Sequence, residues 1–249
     1  MKNFLFLFLI LYSFVKCDEV HQQFELANEL YRKGEYEQAL SKYEQIIKNG
    51  YISSDLYYNI GNVYFKLENI PAAILYYERA KRLSPNDEDI DFNLKIANLR
   101  VVDKIDPLPK IFFINWWYSI SNINNSENWA IIAIIFSWIS IGLFLVFRIS
   151  KISIIKKSAF MSGSILLIFM MLVLSFAYTQ YRYETDNTTG IIFSNNASVK
   201  SSPDEAGTDL FVIHEGVKVE ILDEVGNWKK IRLADGKVGW IVADDIQII

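Results

Sequence analysis

Apolar positions in this chain of 249 residues follow three different rhythms. Up to about residue 104 they recur three and four residues apart, as in Leu26, Ala27 and Leu30 or Ile90, Leu94 and Ala97. That spacing gathers apolar side chains on one helical face, so paired amphipathic helices are expected. Trp129–Phe147 and Ser158–Tyr178 then run on without any charge. A bilayer core takes about 20 helical residues, and a buried helix of a soluble domain would keep a polar side. Both runs therefore read as membrane spans, over 129–147 and 158–178. From about Asn187 the rhythm becomes period two: Val217, Val219 and Ile221 alternate with polar residues, and Trp228, Lys230 and Arg232 oppose Ile231 and Leu233. Asp235-Gly236 adds a hairpin signal, and a small all-β module is expected over 187–249.

Charge orients these segments. "RISKISIIKK", Arg148–Lys157, carries four cations and no acid, whereas "SNINNSEN" before the first span has no Lys or Arg and only Arg182 lies close beyond the second. Basic connectors stay in the cytoplasm, so 148–157 is the expected inner loop and both soluble parts face outward. At the N-terminus, Lys2 precedes an uncharged stretch from Phe4 to Val15, too short to span, which marks 1–17 as a signal peptide, either cleaved before Asp18 or kept as a plain anchor. Lys16 disfavours lipidation of Cys17. Between the helices and the first span, Pro107 and Pro109 precede Phe112, Phe113, Trp116, Trp117 and Tyr118. This 105–128 linker reads as a segment lying on the bilayer surface, or alternatively as a docking face for a partner.

The helical part repeats. Gly34, Tyr36, Ala39, Tyr43 and Ile46 match Glu68, Ile70, Ala73, Tyr77 and Ala80, each 34 residues on. Leu26, Ala27 and Leu30 match Ile60, Gly61 and Tyr64 at the same offset. With Pro85 closing the second copy, the pattern resembles the tetratricopeptide repeat (TPR). Ala39, Gly61, Ala73 and Ala80 are the expected helix-contact positions, and tyrosines fill between. "DEDIDFNLKIANLRVV" follows as a further first helix or a cap, which makes 18–104 the expected array. The offset also aligns Phe24, Tyr58 and Phe92, then Asn28 and Asn62, then Arg32, Lys66 and Arg100. Such a face could hold an extended peptide, with Asn bonding its backbone and the cations its carboxylates. The alternative is that the aromatics close the superhelix and the cations are solvated. Families of TPR proteins that clamp a terminal carboxylate place Lys where this chain has Phe24 and Tyr58.

Val199, Pro203, Gly216, Trp228, Gly239 and Trp240 occur in an order that resembles a bacterial SH3-like barrel, with Ser202 where many members have Gly. In so small a barrel, Trp228, Gly239 and Trp240 are expected in the core rather than at a ligand site. Residues 186–249 hold six basic and eleven acidic side chains, and the whole chain carries a net charge of −4. Nucleic acid is an unsuitable partner for such a surface.

Nothing in the sequence spells catalysis. The two histidines, His21 and His214, fall in different modules, and the chain has one cysteine. "NDEDID" lacks the Gly and the distal Glu of a calcium loop. No enzyme activity, metal or cofactor is expected. The whole order of signal peptide, TPR pair, two spans and SH3-like barrel resembles the BatE-like proteins of the bacterial aerotolerance (Bat) group. The resemblance implies a bacterial inner-membrane protein working with von Willebrand A-domain membrane partners and a MoxR-type ATPase. The expected role is a periplasm-facing scaffold that binds membrane or periplasmic proteins and the lipid bilayer. The alternative is a cell-wall sensor whose barrel grips peptidoglycan.

Overall fold

A computed structural model describes residues 19–109 and 111–249, so the signal-peptide reading of 1–17 lies outside the described residues. The chain divides into two compact units. One holds the described residues up to Lys81, with Asp87–Leu108 and Asn187–Ile249; the other holds Arg82–Asn86 and Pro109–Asp186.

The first unit begins with helices α1 (residues 19–32), α2 (Tyr36–Lys48), α3 (Ser54–Lys66), α4 (Ile70–Leu83) and α5 (Glu88–Arg100). Local chemistry sets their ends. The Ser53 side chain accepts from Leu56 N, Asn69 Oδ1 from Ala72 N, and Asp87 from the amides of Asp89 and Ile90, each an N-cap that satisfies an otherwise unpaired donor. The 34-residue period is visible in the backbone itself. Glu35 N donates to Leu30 O and Asn69 N to Tyr64 O, both at 3.0 Å, and the chain turns through a left-handed residue each time. That residue is Gly34 (φ +80°) in the first hairpin and Glu68 (φ +61°) in the second. Between the helices, Ala39, Tyr43 and Ile46 pack with Ala27, Leu56, Ile60 and Val63. Ala73 and Ala80 are fully buried, and a Cβ on Gly61 would lie 2.6 Å from the Tyr77 ring, so only glycine admits that tyrosine.

Seven antiparallel strands complete the unit: β1 (Thr189–Ile192), β2 (Ala197–Lys200), β3 (Asp209–Ile213), β4 (Lys218–Val225), β5 (Trp228–Arg232), β6 (Val238–Val242) and β7 (Ile246–Ile248). Their order is β3-β2-β6-β5-β4-β1-β7. The repeats and the sheet, expected as separate modules, share one core. Ala73, Ile74, Tyr77, Leu94, Ala97 and Val101 belong to the same buried cluster as Ile191, Val199, Ile213, Val219, Ile231 and Ile241. α5 buries Ile90, Leu94 and Ala97.

The second unit contains α6 (Phe112–Ser121), α7 (Ser126–Ile149) and α8 (Ser153–Thr185). α7 and α8 are long and apolar enough to cross a membrane, and only 11% and 22% of their most apolar windows are buried. Core helices of a soluble domain would be mostly buried. They touch where small residues allow it: Ser140 Oγ donates to Gly163 O at 3.0 Å, and a Cβ on Gly163 would already contact Leu143 and Phe144 at 3.4 Å. Helical structure extends beyond both expected spans. Arg148 lies in the last turn of α7, Lys156 and Lys157 lie in α8, and the non-helical connection is shorter than the expected 148–157 loop. The expected 105–128 linker also differs. Leu108 N donates to Ala234 O at 3.0 Å, which ties its start to the first unit, and its aromatic part is a helix. Trp117 and Ile120 of α6 pack with Trp129 and Phe176, while Phe112, Phe113 and Trp116 are exposed.

Candidate interaction surfaces

The aromatic and amide rows of the repeats lie close to the second helices. The Phe24 ring meets the Tyr43 ring edge-on at 5.8 Å, and Tyr58 meets Tyr77 at 6.0 Å. Tyr43 OH donates to Asn28 Oδ1 at 2.6 Å, and Asn59 Nδ2 donates to the same oxygen at 3.1 Å. One repeat later, Tyr77 OH donates to Asn62 Oδ1 at 2.8 Å, with Asn93 Nδ2 at 3.1 Å. The result is a polar ladder in which asparagine side chains join α1 to α3 and α3 to α5 directly, and the tyrosines tie α2 and α4 to the same oxygens. Burial pushes both of these phenols well above the usual tyrosine range. The oxygens of Asn28 and Asn62, expected to bond a peptide backbone, are therefore engaged within the stack. Asn59 and Asn93 are the residues that the sequence reading missed, although they too stand 34 apart.

Arg32, Lys66 and Arg100 end α1, α3 and α5 and are all exposed. Arg100 lies 3.8 Å from the exposed Glu68 carboxylate, a distance at which a surface pair contributes little. Phe92, third in the aromatic row, is 63% exposed. Pro85 follows the last turn of α4.

The repeats and the barrel meet at α4 and at the residues that follow α5. The buried Glu78 carboxylate accepts from Lys218 Nζ at 2.7 Å, and Arg79 Nη2 donates to Ile248 O at 2.8 Å. Gly216 turns between β3 and β4 with φ +86°, and a Cβ there would lie 2.8 Å from Val101 Cγ2 and 3.4 Å from Ile74 Cδ1. The strap leaving α5 is pinned to the barrel by Asp103, which accepts from His214 N at 2.7 Å and sits 3.0 Å from His214 Nδ1.

The expectation that Trp228 and Trp240 form the barrel core is corrected. In β5 the inward residues are Lys229 and Ile231; in β6 they are Gly239 and Ile241. A Cβ on Gly239 would collide with Val199 Cγ1 and sit 3.0 Å from Lys200 O. Both tryptophans lie on the other face, half-buried, because successive strand residues point to opposite sides. There Lys230 pairs with Trp240 across β5 and β6, its Nζ 5.8 Å from the ring centre, and Lys200 pairs with Trp240 from β2. Lys200 Nζ is held at 3.1 Å by Asp209, whose carboxyl is lowered by hydrogen bonds from Ser198 and Lys200. Among the described residues, no three His, Cys, Asp or Glu side chains gather as a metal site would require.

Two known domain families account for these surfaces. Residues 24–88 match the tetratricopeptide repeat, covering α1 to the first residue of α5. Residues 195–247 match the bacterial SH3 domain, leaving β1 outside the match. No curated protein matches the chain at a significant level. The first unit is thus a TPR-like helical array joined to an SH3-like antiparallel sheet, and the second carries two long apolar helices.

Proposed function

We propose that the chain is a membrane-anchored, non-enzymatic scaffold that holds protein partners on the outer face of a bacterial inner membrane. The observation that carries this reading is the shared core. Two folds of recognition type are locked together, with the basic row of Arg32, Lys66 and Arg100 and the tryptophan face of the barrel left outward. α7 and α8 supply the anchor, and Arg148, Lys151, Lys156 and Lys157 keep their connection cytoplasmic. The bare aromatics of α6 suit the bilayer surface. The order of segments, which resembles the BatE-like proteins, supports von Willebrand A-domain membrane proteins and a MoxR-type ATPase as the system served, in aerotolerance. Retrieval of the full-length protein from native membranes tests the scaffold. Replacing Arg32 and Lys66 by Gln should lower partner recovery several-fold at unchanged helicity. Recovery that survives both this pair and Trp240→Ala sinks the reading.

The outward tryptophans favour a second reading, in which the barrel holds uncharged or cationic parts of peptidoglycan. Its acidity excludes anionic wall polymers. Full-length protein should then sediment with purified sacculi and Trp240→Ala should not; equal sedimentation removes this reading.

A further inference from the structure

The strap that leaves α5, residues 102–108, lies in a cleft of the barrel that it does not fill. A cavity of about 360 Å³ opens between the strap and the turn into β4, where Gly216 and Lys218 line it. Another of about 430 Å³ opens between the strap, β3 and the β5–β6 turn. Residues 103–106 line both. A well-packed contact leaves few voids larger than a water molecule, whereas ligand sites run to roughly 300–1,000 Å³. Lifting the strap would join the two cavities into one.

The strap is held at few points. Asp103 is its polar anchor, accepting from His214 N at 2.7 Å and lying 3.0 Å from His214 Nδ1. Ile105 rests part-buried on the shared core. Leu108 N donates to Ala234 O at 3.0 Å, yet the Leu108 side chain is 59% exposed. Asp106 and Pro107 are exposed too, and Lys104 turns back to the last carbonyls of α5. β3, which walls the larger cavity, ends the sheet order, so its outer edge has no strand beside it. Among the described residues, no backbone bond joins the strap to β3. The cleft thus offers the amide and ring of His214 to a carboxylate, an apolar seat two residues on, and backbone groups that the strap leaves unused.

We propose that this cleft binds an extended segment of another protein, one carrying Asp or Glu with an aliphatic residue two positions on, and that the strap is its resident competitor. An extended chain beside an open strand edge gains backbone hydrogen bonds, while its side chains supply the selectivity. The strap's own advantage is its tether, which presents it at an effective concentration of roughly millimolar. A segment in trans therefore binds only in proportion to the fraction of molecules whose strap is off. The inference goes beyond the scaffold reading and uses neither the basic row nor the tryptophan face, so it holds or fails separately.

The test uses full-length protein in micelles and a labelled peptide of residues 102–109, VDKIDPLP, titrated by fluorescence anisotropy. Asp103→Ala with Leu108→Ser loosens the strap, and this variant should bind the peptide about tenfold more tightly than the parent does. A peptide with Ala in place of its first Asp should bind the same variant about tenfold more weakly, because nothing then faces His214. Leu108 is exposed, so Leu108→Ser alone leaves the fold intact and should still gain about two- to threefold. That single variant decides the matter if circular dichroism shows the double one unfolded. The proposal is overturned if the peptide binds parent and loosened protein alike, binds neither, or does not need its first Asp. It is equally overturned if light scattering shows the parent as a dimer that Leu108→Ser dissolves, which would make the occupant the strap of a second copy.

Discussion

Substituting Gly216 by Ala probes whether the repeats and the barrel stand or fall together. Two costs combine at this site. An alanine at φ +86° carries about 1–2 kcal/mol of backbone strain. Its Cβ would also lie 2.8 Å from Val101 Cγ2, and overpacking of that kind adds about 1–3 kcal/mol. Gly50 separates the two, since it has nearly the same φ, +85°, and nothing within 4 Å of its Cβ position. Gly50→Ala should therefore show strain alone, and Gly216→Ala should cost about 1–3 kcal/mol more. Truncating Val101 to Ala removes the colliding methyl, so the double variant should fall short of the summed single losses by about 1–2 kcal/mol. Hydrogen exchange read by mass spectrometry on the full-length protein in micelles resolves where protection is lost. The expected loss covers α4 and α5 as well as β3 and β4. A coupling near zero between positions 101 and 216, or a loss confined to the strands, refutes a common core.

Gly61→Leu should be severely damaging, because Gly61 is buried and a Cβ alone already lies 2.6 Å from Tyr77; about 3 kcal/mol or more is expected, and an unchanged melting temperature rejects the packing described. Alkali should unfold the repeats. Burial holds the phenols of Tyr43 and Tyr77 protonated in the fold and pushes Tyr64 up to about 12, whereas an unfolded tyrosine loses its proton near pH 10. The unfolded chain then binds fewer protons, so stability is intact below about pH 10 and falls as pH rises beyond it. Circular dichroism against pH checks this, and Tyr43→Phe should flatten the slope; a flat profile to about pH 12 contradicts it. In a Cys17→Ser background, an impermeant thiol reagent should label Ser202→Cys but not Ser153→Cys in outer-membrane-permeabilised cells, and the reverse pattern inverts the proposed topology.

The period of 34 made much of the helical array legible, because Gly61 and Ala73 are small for a reason that recurs. Alternation did the same for the strands, and it already set Trp228 opposite Ile231. Placing both tryptophans in the core let residue size override that period. The override failed because the barrel does not have to close its core unaided. Ile74 of α4 and Val101, just past α5, lie against Gly216, so Ile231, Ile241 and Val199 suffice inside, and the tryptophans can stay out. Contacts across the junction had no local signature. Glu78 and Lys218 are 140 residues apart, and Asp103 and His214 are 111 apart. Each reads alone as an ordinary surface charge. The asparagine ladder was half-legible: the offset shows that Asn59 and Asn93 are equivalent, but only the helix phase brings their amides to Asn28 and Asn62.

A shared core changes how the function of such a chain can be dissected. Substitutions at Gly216, Val101 or Glu78 act on the repeats and the barrel together, so a loss of binding caused by them does not identify which face does the binding. Arg32, Lys66 and Trp240 are different, because none of them belongs to the buried cluster. Their side chains can be exchanged with the common core left intact, and each then reports on one face alone. Fusion also bears on affinity. A partner that touches both faces meets them already ordered relative to each other and loses less freedom on binding than it would with two tethered modules.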